Sequence, residues 1–158
     1  MKNAVHDLVK LLLEKRLTLA LAESATCGLV THQLSTVKGT SEILEGSIVC
    51  YSEKVKKQLL GVSQNLLKKY SAESQQVTDA LVRHLRNLIP ATVHVSITGL
   101  TTSGASENKY KPVGTIFISV FYKNKLHRRR KLFRGSPLAI KKKACLEVFQ
   151  FIKEILSR

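Results

Sequence analysis

Apolar residues repeat at helical spacing in three long stretches of the chain. The first predicts a helix that ends near Lys15 and Arg16, and the second predicts one between Ser74, its expected N-cap, and Pro90. Pro137 suits the first turn of a final helix. The apolar stripes are Ala4, Val5, Leu8, Leu11 and Leu12; Val77, Leu81, Leu85 and Leu88; and Ile140, Ala144, Val148, Ile152 and Ile155.

Five shorter apolar runs predict strands at residues 17–22, 46–51, 92–98, 115–122 and 126–133. A turn at 123–125 joins the last two strands into a hairpin. Strands that alternate with helices favour a parallel sheet covered on both faces, and the hairpin adds an antiparallel strand. The pattern therefore predicts an α/β fold: a three-layer α/β/α sandwich with a mixed, mostly parallel sheet of about five strands.

Length and composition agree with one domain, residues 1–158. With 158 residues, 44% of them hydrophobic, the chain is long enough to bury a substantial core. The first residues predict an amphipathic helix and not a signal peptide, and no apolar segment is long enough to cross a membrane. We therefore expect a cytoplasmic protein with no membrane contact.

The three cysteines and five histidines are scattered along the sequence. Cys27, Cys50 and Cys145 show no C-x-x-C spacing, which argues against a disulfide framework. No group of these residues has the spacing of metal ligands, although folding could bring distant positions together.

The first predicted strand ends in small and polar residues, Glu23 to Gly28, which precede an amphipathic helical run. Because this turn lies at the carboxyl end of a strand, it faces the crevice where open α/β sheets bind ligands. The N–H groups that open the next helix favour an anion or a developing oxyanion. The alternative is that Ser24 or Thr26 only caps a helix that begins near Cys27.

The formal net charge of +15 indicates an affinity for anions, whether nucleic acid, membrane surface or small phosphorylated ligands. Basic residues concentrate in the predicted hairpin and the start of the last helix. They are Lys123, Lys125, His127, Arg128, Arg129, Arg130, Lys131, Arg134, Lys141, Lys142 and Lys143. Such charge protects a sheet edge, which we rank above nucleic-acid binding, since only Tyr122 and Phe133 lie there to stack bases.

Four short stretches together carry a more specific signal. They are Ala22-Glu23-Ser24-Ala25-Thr26-Cys27-Gly28-Leu29; Tyr51-Ser52 with Lys56 and Leu59-Leu60-Gly61-Val62; Thr98-Gly99-Leu100; and Lys111-Pro112-Val113-Gly114-Thr115. In this order and spacing they resemble the carboxy-terminal domain of the CinA (competence/damage-inducible) proteins, over nearly the whole chain. The resemblance implies an amidohydrolase of pyridine-nucleotide recycling that converts nicotinamide mononucleotide, a small phosphorylated nucleotide, into nicotinic acid mononucleotide and ammonia. It also implies a homo-oligomer and no metal or organic cofactor.

The resemblance places the nucleophile at Ser24, in a chemistry similar to that of serine amidases that use no histidine. A lysine or a tyrosine must then accept the serine proton, and Lys56 and Tyr51 occupy the matching positions. A lysine needs a lowered pKa to act as a base. Without the resemblance, Lys56 would be interpreted as a solvated helix lysine, and Tyr51 equally well as a strand-end aromatic packed on the core.

Other residues of these motifs are candidates for holding the substrate. Glu23 would fix Lys56, contact the ribose or pair with a surface lysine. Residues after the first strand would bind the oxyanion or the phosphate, and those after the third would line the same crevice. The substrate-binding candidates are Glu23, Thr26, Cys27, Gly28, Thr98, Gly99, Arg134 and Lys141.

Departures from the family pattern fall on these ligand-holding positions. Cys27 replaces a glycine, the loop after Gly99 differs, and the segment 135–137 lacks an arginine suited to a phosphate, for which Arg134 or Lys141 would substitute. They favour an alternative, a catalytically impaired member that acts as a ligand-binding or interaction module. The Cys27 thiol, at a helix N-terminus near cations, is a further nucleophile candidate ranked below Ser24.

Overall fold

The structure is a computed structural model that describes residues 2–158. Its helices are α1 (Lys2–Glu14), α2 (Leu29–Ser35), α3 (Glu53–Gln58), α4 (Gln64–Tyr70), α5 (Gln75–Leu88) and α6 (Pro137–Leu156). Its strands are β1 (Leu19–Glu23), β2 (Leu44–Val49), β3 (Val93–Gly99), β4 (Thr115–Tyr122) and β5 (Lys125–Leu132). A 3₁₀ turn, Thr40–Glu42, precedes β2.

Across residues 2–158, five strands form one sheet in the order β2-β1-β3-β4-β5. β1 pairs in parallel with β2 and β3, whereas β4 pairs antiparallel with β3 and β5. In this sheet β4 therefore runs against the other strands. The expected mixed, mostly parallel sheet is confirmed.

Side chains that alternate along β1 divide the core between the two faces of the sheet. Leu19 and Leu21 pack in a cluster with apolar residues of α1, α2 and α6. Ala20 and Ala22 pack on the other face with residues of α4 and α5. The expected three-layer sandwich is confirmed, and within the described chain no helix is both long and apolar enough to span a membrane.

The path of the chain opens a crevice at the carboxyl end of β1. The chain leaves β1 through α2, on one face, to reach β2, and then passes through α5, on the other face, to reach β3. β1 is thus flanked by strands whose connections diverge to opposite faces, which is where open α/β sheets bind ligands. Because β1 ends at Glu23, Ser24 stands at the mouth of this crevice.

Most predicted boundaries hold within two or three residues, and one correction matters for function. α2 begins at Leu29 with Gly28 as its N-cap and no side-chain cap, so the alternative in which Ser24 or Thr26 caps a helix near Cys27 is wrong. Ser74 caps α5 as expected, since its hydroxyl accepts the N–H of Val77.

Candidate active site

Ser24 and Lys56 meet at the carboxyl end of β1. Lys56 Nζ lies 3.0 Å from Ser24 Oγ, although the two residues are 32 positions apart in the sequence. Lys56 is 1% exposed and Ser24 is 7% exposed. Lys56 is therefore not the solvated helix lysine that its own stretch of sequence suggested.

The turn between β2 and α3 aims Lys56 at Ser24. The Cys50 N–H donates to the carbonyl of Glu23 at 2.8 Å, which ties this turn to the end of β1. The Ser52 hydroxyl then accepts the Val55 N–H and caps α3. The first turn of α3 starts so close to β1 that Lys56 points back over Ser24 instead of into solvent.

The polar groups around Lys56 Nζ carry no charge. Nζ lies 2.8 Å from the carbonyl oxygen of Cys50 and 2.9 Å from that of Tyr51. Burial lowers the pKa of Lys56, because dehydration penalises the ammonium form, and weaker attraction from Cys50, Glu73 and Glu53 opposes this shift. The environment therefore favours the neutral amine more than water does.

If the Lys56 amine is neutral, each of its hydrogen-bonding groups has a partner in these contacts. It has two N–H donors and one lone pair. The carbonyls of Cys50 and Tyr51 can only accept, so they take the N–H groups. The lone pair then faces Ser24 Oγ, which can donate its hydroxyl proton to it. This is the contact that a general base needs with a serine nucleophile.

Glu23 is fully buried and binds the entry to α2. Oε2 accepts from Thr26 Oγ1 at 2.6 Å and from the main-chain N–H groups of Gly28 and Val30 at 3.0 and 3.1 Å. Oε1 accepts from the N–H and the hydroxyl of Thr31 at 2.8 and 2.6 Å. The carboxylate satisfies the N–H groups that open the helix, where a negative charge is favoured. Glu23 therefore does not make the lysine contacts considered from sequence.

We expect Glu23→Gln to lower the free energy of unfolding by about 2–4 kcal/mol, because the new amide NH₂ cannot accept and leaves buried donors unpaired. Urea denaturation with an unchanged m-value measures this loss. Glu42→Gln, at an exposed acid, is the matched control and should change stability by less than about 0.5 kcal/mol. A Glu23→Gln variant as stable as the wild type would contradict the assigned role.

A cavity of about 190 Å³ opens at Ser24. It is lined from the carboxyl ends of the three parallel strands, by Ser24 and Ala25 after β1, Tyr51 after β2, and Gly99 with residues 100–102 at the end of β3. Glu73 and Ala105 complete the wall. The nucleophile candidate therefore faces a space that can hold a small reacting group.

Two main-chain N–H groups next to Ser24 in the sequence have no partner in the described chain, and one of them belongs to Ala25, which lines the cavity. Ser24 N–H itself donates to the carbonyl of Ile97 at 3.0 Å. Within residues 2–158 the N–H groups of Ala25 and Thr26 have no hydrogen-bond acceptor, although both residues are buried. Buried unpaired N–H groups are costly, and such donors next to a nucleophile are suited to stabilise an oxyanion.

Comparison with known proteins agrees with this architecture. The family model of the CinA C-terminal domain matches residues 1–156. The chain belongs to the CinA C-terminal domain family. The CinA-like protein of Thermotoga neapolitana is 40% identical over 117 residues, 73% of this chain and 28% of that protein. The CinA-like protein of Prochlorococcus marinus subsp. pastoris is 32% identical over 156 residues, 95% of this chain and 36% of that protein. The chain thus spans about a third of these curated relatives.

Solved structures of CinA superfamily proteins share the whole fold. The protein from Klebsiella pneumoniae 700603 superposes with a TM-score of 0.93 at 21% identity, covering 99% of this chain and 97% of that one. The protein from Enterobacter cloacae superposes with a TM-score of 0.89 at 26% identity, covering 96% and 92%.

Some of the other motif residues of this CinA domain line the cavity, and others make contacts elsewhere in the fold. Tyr51 is 67% exposed and so does not pack on the core as one alternative held. Gly99 lines the cavity with a φ of 153°, and a Cβ there would lie 2.4 Å from the Thr115 carbonyl oxygen. Thr98 points elsewhere, since its hydroxyl lies 2.7 Å from that of Thr78 on α5.

The candidate phosphate ligands of this CinA domain lie outside the cavity wall. Arg134 is exposed in the turn after β5, and its carbonyl accepts from Lys143 Nζ at 2.7 Å. Lys141 is half-buried near the start of α6. Neither residue lines the space at Ser24. However, β5 runs parallel to β1, so the carboxyl ends of these two strands lie at the same edge of the sheet. Arg134 and Lys141 follow the end of β5 in the sequence, as Ser24 follows the end of β1.

Cys27 adopts a left-handed conformation, with a φ of 52°, and is exposed. Glycine, which has no Cβ, adopts this conformation without strain. We expect Cys27→Gly to raise the midpoint of thermal unfolding by about 2–4 °C, since relief of about 1–2 kcal/mol of strain exceeds the added unfolded-state entropy of glycine. Cys27→Ala retains the Cβ and should give no gain. Equal gains in the two variants, measured by calorimetry, would contradict this explanation.

Three basic residues of the hairpin form ion pairs with acidic residues of α5 and α6. Arg128 binds Asp79 at 2.7 Å, and Arg129 binds Glu147 at 2.8 Å and also Glu154. Lys131 lies 3.5 Å from Glu147. These contacts agree with the interpretation that the basic residues protect the edge strand β5, and they also attach this strand to α5 and α6. In the described part of the chain, no group of three or more metal-ligating side chains comes together.

Sequence reasoning missed Glu73, which lines the cavity although it belongs to none of the family motifs. Glu73 lies just before Ser74, the N-cap of α5. An N-cap residue in the sequence predicts where a helix begins, but it does not predict the direction of the side chain that precedes it. The position of the turn at Glu73 depends on the packing of α5, which lies over β3 and β4 and also contacts β1.

Proposed function

We propose that this chain is an amidohydrolase that converts nicotinamide mononucleotide to nicotinic acid mononucleotide and ammonia. The observation that carries the proposal is the buried contact between Lys56 Nζ and Ser24 Oγ, in which burial lowers the pKa of the lysine. A carboxamide is a poor electrophile with a poor leaving group, so its hydrolysis needs an activated nucleophile, an oxyanion site and a proton donor. Each requirement has a candidate beside Ser24.

In the first half-reaction, Ser24 Oγ attacks the carboxamide carbon and its proton passes to neutral Lys56 Nζ. The carbonyl oxygen becomes an oxyanion that accepts from the N–H groups of Ala25 and Thr26. The Lys56 ammonium then gives its proton to the amide nitrogen, the C–N bond breaks, and ammonia leaves an ester on Ser24. Because the carbonyls of Cys50 and Tyr51 hold the other Nζ hydrogens, the transferred proton stays on the side of Ser24.

In the second half-reaction, water replaces ammonia. Lys56, neutral again, takes a proton from the water as its oxygen attacks the ester carbon. The same oxyanion donors act, and the proton returns to Ser24 Oγ as the acid leaves. One lysine therefore serves both halves, and the steps require no metal.

Two features support a pyridine nucleotide as the substrate. Tyr51 offers an exposed aromatic face at the cavity, which suits stacking on a positively charged ring. The net charge of +15 attracts a phosphate-bearing ligand. In the test, purified protein should release ammonia and nicotinic acid mononucleotide in equal amounts. Folded protein that releases ammonia from neither nicotinamide mononucleotide nor other nucleotide carboxamides would overturn the proposal.

A second candidate is a catalytically impaired, ligand-binding member of the family. It is favoured by the size of the cavity, about 190 Å³, which is below the usual range of small-molecule sites. It is also favoured by the absence of Arg134 and Lys141 from the cavity wall. Binding of nicotinamide mononucleotide without ammonia release would establish it.

A further inference from the structure

The cavity at Ser24 contains an acidic side chain that the proposed mechanism does not use. Among the residues that line this space in the described chain, Glu73 is the one with a formal charge. Lys56 lies behind Ser24 and is 1% exposed, and its burial favours the neutral amine. The formal charge on the cavity wall is therefore negative, and the Lys111 ammonium, which attracts Glu73, does not line the cavity.

A hydrogen-bonded clasp holds Glu73 on the cavity wall. Lys111 Nζ donates to the main-chain carbonyl of Glu73 at 2.9 Å, to Ser106 Oγ at 2.7 Å and to Ser71 Oγ. Ser106 Oγ in turn donates to Glu73 Oε2. The three hydrogen bonds of Lys111 Nζ therefore go to uncharged oxygens, and its charge attracts the Glu73 carboxylate without a direct hydrogen bond to it.

The second carboxylate oxygen of Glu73 remains open to a ligand. Within residues 2–158, Oε1 accepts no hydrogen bond, whereas Oε2 is held by Ser106. A carboxylate in a recess whose walls are protein attracts a cation more strongly than an exposed one does, because less water screens it.

We propose that Glu73 is a specificity-determining residue, which makes the Ser24 cavity select carboxamides that carry positive charge on the attached ring over neutral carboxamides of the same shape. This inference rests on the proposed function, because it names the substrate class of the same site. Because Ser24 and Glu73 line the same cavity of about 190 Å³, a ring attached to a carboxamide at Ser24 shares this space with Glu73. The acid produced bears a carboxylate, which Glu73 repels, so the same residue favours product release.

Glu73 could instead serve only to hold the loop at 100–111, and the variants must separate these roles. Glu73→Gln removes the charge and keeps an acceptor for Ser106. Ser106→Ala removes the clasp and keeps the charge. Glu53→Gln is the control for long-range effects, because exposed Glu53 also attracts the Lys56 ammonium but does not line the cavity.

The experiment compares binding of 1-methylnicotinamide, whose ring is cationic, with binding of neutral nicotinamide, by NMR titration of the full chain. We expect the wild type to prefer the cation, and Glu73→Gln to reduce the ratio of the two affinities by about three- to tenfold. Ser106→Ala and Glu53→Gln should retain the preference. An unchanged ratio in Glu73→Gln, an equal loss in either of the other variants, or a wild type that binds neither compound would overturn the inference.

The same titration separates this inference from the proposed function, because it needs no turnover. A cation preference that depends on Glu73, in a protein that releases no ammonia, would support the inference and overturn the amidase. Ammonia release from nicotinamide mononucleotide with no effect of Glu73→Gln on the affinity ratio would support the amidase and overturn the inference.

Discussion

Lys56→Met is expected to lower kcat/KM for carboxamide hydrolysis by about 10³-fold, which is the usual size of general-base catalysis. Methionine has a similar length and shape but accepts no proton, so Ser24 loses its base. The carbonyls of Cys50 and Tyr51 lose their donor, which costs about 1–3 kcal/mol each, but the buried amine is also removed. The variant should therefore fold, and circular dichroism with thermal unfolding checks this. A folded variant with activity within tenfold of the wild type would contradict the assignment.

The lowered pKa of Lys56 adds a pH dependence to this prediction. Since the base must be neutral, kcat/KM should rise with pH through a pKa below the ordinary lysine value of 10.5. The folded chain also holds this proton less tightly than the unfolded chain. The free energy of unfolding should therefore rise with pH between the lowered pKa and 10.5, and Lys56→Met should lose that component. Equal slopes in the two proteins would contradict a shifted Lys56.

Ser24→Ala is expected to abolish ammonia release, with a loss of at least about 10³-fold in kcat/KM, because no other hydroxyl takes its place beside Lys56. The fold should persist, since alanine fits the site and the Lys56 amine keeps its two carbonyl acceptors. Ser47→Ala is the matched control, because Ser47 Oγ is buried without a partner in the described chain and lies on β2, away from the cavity wall. It should retain activity.

Activity that survives in Ser24→Ala would point away from the serine mechanism. Cys27, three residues on, is then the residue to examine, and loss of the surviving activity on alkylation would identify it. Such a result would also leave the contact between Lys56 and Ser24 without a catalytic explanation.

The fold was predictable because its signals are periodic. The apolar stripe of α5 and the β-branched run of β3 can each be recognised from residues a few positions apart in the sequence. The alternation of helices with strands then favours a parallel sheet with helices on both faces. The hairpin also has a local cause, since Lys123 and Asn124 both take positive φ, as a two-residue hairpin turn of type I′ requires.

The candidate site was predictable in part. Ser24 follows from its place after a buried strand, together with the family motif. The burial of Lys56 does not follow from its own stretch, because Lys54, Lys56 and Lys57 look alike until the direction of α3 is known. The contacts of Glu23 likewise depend on the shape of the turn before α2 and not on spacing.

The most direct test of the central claim is rapid-quench mass spectrometry of the chain mixed with nicotinamide mononucleotide. We expect the peptide that contains Ser24 to gain the acyl group of nicotinic acid mononucleotide during turnover, and Ser24→Ala to gain nothing. Turnover with the acyl group on Cys27, or with the Ser24 peptide unmodified at every time point, would contradict the claim that Ser24 attacks the carboxamide.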